Sequence, residues 1–207
     1  MSKELDFNQT LSKYIPNMFI EYVTGILIDS KVSFKIVAPR STKLGDFRLH
    51  RKGSNKPQIT VNGDLNPYSF LITTIHEVAH LKTHNKYGFH VNPHGVEWKS
   101  EFSSLLKPIL EHEALPADLK KVLSSSITNL KASSCTDIKL ARELKKYNQS
   151  NHTVSLEELG ENCIFILNKK TYSKGKLRRT RYLCKEINTG KSYLIHALAE
   201  VKEVINE

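Results

Sequence analysis

Between residues 10 and 29, apolar side chains recur at steps of three and four: Leu11, Ile15, Phe19, Tyr22, Val23 and Ile26. The spacing predicts one amphipathic helix over 10–29, with Pro16 near its start. Three strand-like runs follow: 32-VSFKIV-37, 44-LGDFRLHR-51 and 57-PQITVN-62, the last two separated by the turn-like KGSNK. A long helix is expected over 64–88. Asn66 is placed to cap it, Pro67 suits its first position, and Gly88 suits its end. Residues 94–112 read as a helix that turns Val96, Phe102, Leu105 and Leu106 toward a core. Residues 116–148 read as two shorter helices separated by the polar 124-SSSITNLKASS-134. From 151 the pattern becomes strand-like at 162–167, 180–187 and 191–197, with Asn188-Thr189-Gly190 as a hairpin turn between the last two. The expected class is α+β. Three segments are expected: a main domain at 1–115, a helical linker at 116–150 and a small β-rich module at 151–207.

Composition narrows the setting. In 207 residues there is no run of 18 or more apolar side chains, so no membrane span is expected. The opening MSKELDFNQT lacks a basic segment followed by an apolar core, so no secretion leader is expected. Cys135, Cys163 and Cys184 are too few and too far apart for a disulfide scaffold, which fits a reducing cytoplasm. The formal charge of +10 is local. Lys169 to Lys191 holds nine Lys or Arg against Glu186 alone, a net +8 of that total.

The chemistry centres on 76-HEVAH-80. Residues i and i+4 share a helix face, so His76 and His80 can direct ring nitrogens to one tetrahedral metal. Glu77 is turned about 100° from His76, where a base can border the metal without binding it. The flanks Leu71, Ile72, Ile75, Val78, Ala79 and Leu81 imply a buried helix, in which unpartnered polar groups are costly. A catalytic zinc needs a third protein ligand. His84, His90, His94, Glu97 and Glu101 are available. His84 lies about 12 Å along the helix from His76, which makes a shared metal awkward. His94, beside Gly95 in a turn before the next helix, is favoured over His90, and either over the glutamates.

The pair 76-HEVAHL-81 and 94-HGVEWK-99 resembles the SprT-like metalloproteases, related to the eukaryotic protease Spartan. The upstream order also matches, with a helix and strands including 44-LGDFR-48 and 58-QITVN-62; the resemblance covers roughly residues 8–112. It implies a zincin-like fold built from an N-terminal helix, a small three-stranded sheet, the HExxH helix and a following helix. It also implies one catalytic Zn2+ on His76, His80 and His94, with Glu77 as the base. The implied activity is a zinc-dependent endopeptidase that cleaves proteins bound or crosslinked to DNA. The chain departs from the family downstream. Many members carry a zinc ribbon with two Cys-x-x-Cys pairs, whereas this region holds only Cys163 and Cys184.

Other residues invite weaker readings. Trp98, the single tryptophan, suits packing behind the metal ligands. Tyr87, His84 and His90 lie near the site in sequence. Arg40, Lys43, Arg48, Arg51 and Lys52 cluster around the second strand, either as a nucleic-acid groove or as scattered surface cations. The segment 169-KKTYSKGKLRRTRYLCK-185 interleaves cations with aromatic rings. Lys169, Lys170, Lys174, Lys176, Arg178, Arg179 and Arg181 are expected to meet phosphates, and Tyr172 and Tyr182 to stack on unpaired bases, favouring single-stranded DNA. Strand alternation would put Arg179 and Arg181 on one face and Arg178 on the other. Two rivals stand beside the DNA-directed peptidase. One is a nucleic-acid-binding protein with a structural zinc and no protease activity. The other is a cytosolic metallopeptidase without a DNA role. The expected location is the cytoplasm, nucleoid-associated if bacterial.

Overall fold

Pro16 divides the first predicted helix in two. The computed structural model describes residues 2–40, 42–49, 56–128, 137–148 and 154–204. It has helix α1 at Ser2–Leu11, a single 3-10 turn at Asn17–Phe19 and helix α2 at Ile20–Asp29. Proline has no N–H to give and disfavours the helical region for the residue before it; α4 accommodates Pro108, but Pro16 is itself extended, at ψ 136°, and the helix does not run through it. The apolar positions survive the break. Leu11, Ile15, Phe19 and Val23 are buried and Tyr22 and Ile26 half-buried, and Leu27, which the spacing did not single out, is buried as well. The hydroxyl of Thr24 donates to Asn8 Oδ1 at 2.6 Å, tying α1 to α2.

The three expected strands form one sheet: β1 (Ser33–Val37), β2 (Gly45–Arg48) and β3 (Gln58–Asn62), in the order β1-β3-β2. β1 runs parallel to β3, and β2 antiparallel to it. Arg51, Lys52 and most of the KGSNK turn lie outside the described residues. Alternation gives the sheet two different faces. Ile59 and Val61 are fully buried, and Gly45, paired with Val61, lies against helix α3. Thr60 and Asn62 point to the other face, where Arg40 bonds both, through Nη1 and Nε at 3.0 and 2.8 Å. The Asn62 amide also donates to the carbonyls of Arg40 and Lys43, which fixes the segment leading into β2. Lys43 and Arg48 both pair with Asp46. Arg40, Lys43 and Arg48 are thus engaged within the fold.

Helix α3 spans Pro67–Tyr87, as the pattern predicts. Asn66 accepts from the Ser69 N–H at 2.9 Å, and Gly88 ends the helix at φ 69°. Helix α4 is Val96–Glu111. Helices α5 (Ala117–Thr128) and α6 (Ile138–Lys145) are not a linker. Leu115, Leu119, Leu123 and Leu140 belong to the same core as α2 and α3, and the compact unit extends over Met1–Asn148. The predicted boundary at 115 followed the end of the 94–112 helix, whereas Leu119 and Leu123, at i and i+4 on one face of α5, carry the core past it.

The second unit, Gln149–Glu207, has its own core of Leu156, Leu159, Phe165, Tyr172, Cys184 and Val201. Its strands are β4 (Val154–Ser155), β5 (Ile164–Leu167), β6 (Lys170–Ser173), β7 (Leu177–Arg178), β8 (Arg181–Glu186), β9 (Ser192–His196) and β10 (Glu200–Glu203). The order is β4-β10-β5-β6-β8-β7, with β9 also on β8. The expected β8–β9 turn is present, with Gly190 at φ 70°. No helix among the described residues is long and apolar enough to cross a membrane.

Candidate metal centre

Helix α3 delivers two of three converging histidines. His76 Nε2 lies 3.1 Å from His80 Nε2, one turn along the helix. His94, placed by the turn before α4, brings its Nε2 to 3.3 Å from that of His76. The turn closes through the Gly95 N–H on the Asn92 carbonyl at 2.9 Å. A tetrahedral metal bound at ~2.0–2.1 Å requires nitrogens about 3.3–3.4 Å apart. The three ligand atoms all lie within 4.8 Å of one another, and the cluster could hold a metal ion. The alternatives fall away. Glu101 is ion-paired with Lys86 at 3.2 Å, and His84 meets Phe89 edge to face. Glu97 and His90 stand outside the cluster.

Electrostatics favour neutral imidazoles. Burial, then the neighbouring histidines, push the His76 pKa down to about 3. The same causes bring His80 to about 4, and burial and Lys99 lower His94. Neutral imidazole is the metal-binding form. Trp98 supports all three rings, with centroids at 4.7 Å from His76, 5.3 Å from His80 and 4.8 Å from His94. It stacks in turn on Phe102 at 4.8 Å. The expected backing role of Trp98 is therefore what the packing shows.

Glu77 follows His76 on α3, and its carboxyl packs against strand β2. Only 7 % exposed, its carboxyl is pushed up to about 7 by burial and by the Asp46 charge. Arg40, the Phe47 backbone N–H and Lys43 oppose that rise. Its Oε1 and Cγ sit where a side chain on Gly45 would be, 2.6 and 2.7 Å from an added Cβ. Strand β2 therefore shapes the space around the carboxyl, with Gly45 giving room and Phe47 giving a donor. Neither residue stands out in the sequence. The available signal was a glycine inside a strand pattern, which marks close approach of another group.

In the C-terminal unit, the expected phosphate contacts separate. Lys174 is a correction: it is 4 % exposed, with Nζ bonded to the carbonyls of Glu157 and Leu159 and lying 4.2 Å from the Tyr182 ring centroid. Tyr172 is a second correction: it is buried, stacked on Phe165 at 5.6 Å, and offers no platform to a base. Tyr182 lies under Lys174 and is likewise engaged. Lys170 pairs with the buried Glu186 at 3.1 Å. Lys169 occupies the β5–β6 hairpin at φ 64°, and Lys176 is exposed.

The expected alternation of the arginines is also overturned. A two-residue turn at Arg179-Thr180 makes Arg178 and Arg181 direct cross-strand partners, and directly opposed residues share a face. His196 pairs with Arg181 on the other side. Its Nδ1 accepts from the Leu198 N–H, which assigns the proton to Nε2. Among the described residues, no carboxylate lies within ion-pair distance of Arg178, Arg179 or Arg181. His196 escaped the sequence reading because its pairing with Arg181 depends on register. Cys184 is buried and Cys163 partly so, whereas Cys135 lies outside the described residues. Compared with known proteins, the chain matches no family model, no curated protein and no solved structure.

Proposed function

We propose that the N-terminal unit is a zinc-dependent endopeptidase of the SprT-like kind, with a zincin-like fold, acting on proteins bound or crosslinked to DNA. The observation that carries this reading is the convergence of the His76, His80 and His94 ring nitrogens, with the buried Glu77 next to His76 on the same helix. Zinc on His76, His80 and His94 would supply Lewis acidity toward a peptide carbonyl and toward water. The proton transfers belong to Glu77. Its carboxylate takes a proton from the attacking water and returns it to the leaving amine nitrogen. Gly45 and Phe47 orient the carboxyl, while Trp98 holds the imidazoles. The structural-zinc rival calls for a fourth protein ligand, and the cluster among the described residues has three.

The DNA-directed part rests on the row Arg178–Arg181–His196 across β7, β8 and β9. Opposed like charges are unfavourable until an anion joins them, and a phosphate backbone supplies one at regular intervals. Leu183 and Leu194 pair on the same face, and Lys185 continues it along β8. An apolar strip between cations suits the unstacked bases of a single strand. The proposed location is the cytoplasm, at the nucleoid in a bacterium.

The test is cleavage of a protein crosslinked to a single-stranded oligonucleotide by zinc-loaded protein. Glu77→Gln is expected to lower the rate roughly 10²–10⁴-fold, with zinc and melting temperature retained. His94→Ala is expected to lose zinc. Equal cleavage by the Glu77 variant, or undiminished zinc in the His94 variant, contradicts the reading.

A further inference from the structure

The hydrogen-bond phase of β2 decides what its outer edge offers. The Asn62 N–H donates to the Leu44 carbonyl at 2.9 Å, making Leu44 and Asn62 a bonded pair. Bonded and non-bonded pairs alternate in an antiparallel ladder. Asp46 and Arg48 therefore bond inward to Thr60 and Gln58, and Gly45 and Phe47 turn their backbone groups away from β3. That outward edge runs past Glu77, which accepts from the Phe47 N–H. An extended peptide laid there would pass the Glu77 carboxyl and the His84 ring, with alternate side chains facing α3.

Beyond the metal-binding pair on α3, that face is aromatic. His84 continues the i, i+4, i+8 stripe begun by His76 and His80. Its ring lies 6.3 Å from Phe47 on β2 and 4.5 Å from Phe89. Phe89 follows Gly88, whose N–H bonds back to the His84 carbonyl at 2.8 Å. Such a helix stop commonly brings the next apolar residue onto the last turn, which accounts for the Phe89–His84 contact. It does not account for the rest of the ring, since Phe89 remains 79 % exposed.

The geometry points to Phe47, His84 and Phe89 as a side-chain subsite that selects a large apolar residue, aromatic before aliphatic, next to the cleaved bond. This rests on the peptidase reading and names its substrate class: unfolded polypeptide carrying exposed apolar side chains. Phe89 forms the outer wall, covered only when the substrate ring arrives. Phe47 forms the floor; its N–H is held by Glu77, so its outward carbonyl is the backbone group left to accept from the peptide.

Binding tests the subsite separately from turnover. Zinc-loaded protein is titrated with short peptide hydroxamates that differ only in one side chain: benzyl, isobutyl or hydrogen. The benzyl compound is expected to bind roughly 10-fold or more tightly than the hydrogen compound, because an aromatic side chain leaves water. Phe89→Ser is expected to reduce that ratio to about 2–3-fold while leaving zinc content and affinity for the hydrogen compound unchanged. Equal affinities across the wild-type series, or an unchanged ratio in Phe89→Ser, overturns the subsite. Failure of every hydroxamate to bind overturns it together with the metal site. Wild-type protein that shows the benzyl preference yet leaves unfolded casein uncut supports the subsite and sinks the peptidase reading alone.

Discussion

Gly45 shows how one missing carbon can set a site. A Cβ there would lie 2.6 Å from Glu77 Oε1 and 2.7 Å from Thr73 Cγ2. Gly45→Ala must therefore move the carboxyl, the helix or the strand. The expected result is full zinc occupancy with peptidase activity down at least 10-fold, and stability lower by roughly 1–3 kcal/mol from overpacking. The check is zinc content, melting temperature and cleavage rate on one preparation. Activity equal to wild type would mean that the position of Glu77 is immaterial. At this scale the sequence disclosed the histidines and Glu77, because helical spacing alone makes them neighbours. It hid Gly45 and Phe47, because their approach to Glu77 depends on how a strand packs across a helix.

At the scale of elements, local signals were readable where they were strong and unopposed. Asn66, Pro67 and Gly88 mark the ends of α3, and the β-branched runs mark the three-stranded sheet. Helix α1 carries few apolar positions, so its first eight residues show no periodicity, and the helix expected over 10–29 overlaps it only at Thr10 and Leu11. β7 was missed because two residues flanked by a turn carry no periodicity. That short strand matters most for the arginines. Arg179 stands at φ 59°, a conformation in which glycine is the cheap residue. Arg179→Gly is expected to stabilise the C-terminal unit by about 1 kcal/mol while weakening binding to single-stranded oligonucleotide. Opposite signs in the two measurements would show that the arginine is kept for its charge. Arg178→Glu with Arg181→Glu is expected to cut affinity at least 10-fold and to reduce the salt slope by about 1.4, two phosphate contacts at about 0.7 each. Affinity flat with salt would reduce the row to a solvated surface.

For the molecule as a whole, the metal centre makes the metal-free protein sensitive to pH. His76 and His80 titrate near 3 and 4 when folded, and His94 below its ordinary value. Unfolded, all three take protons below about pH 6.5. The unfolded chain then binds more protons, so these groups make stability rise with pH from about 4 to 6.5. Glu77 acts oppositely, since its raised pKa near 7 makes stability fall from about pH 4.5 to 7. Three histidines against one glutamate leave a net rise. The melting temperature of chelated protein is expected to be higher at pH 6.5 than at pH 5, and Glu77→Gln should steepen the difference. Equal melting temperatures at the two pH values would contradict the neutral-imidazole account. Chelation should leave nucleic-acid affinity unchanged, since no proposed DNA contact uses the metal.

Lys174 has a consequence outside binding altogether. Its amine is enclosed, bonded to two carbonyls and covered by a tyrosine ring. An acylating reagent needs a free, deprotonated amine with room to approach. Brief treatment with acetic anhydride should therefore mark Lys176, Lys185 and Lys191 within seconds and leave Lys174 untouched while the C-terminal unit stays closed. Mass spectrometry of the resulting peptides then turns one lysine into a clock for the opening of that unit. Labelling of Lys174 at the pace of its exposed neighbours would mean that this amine is not enclosed in solution.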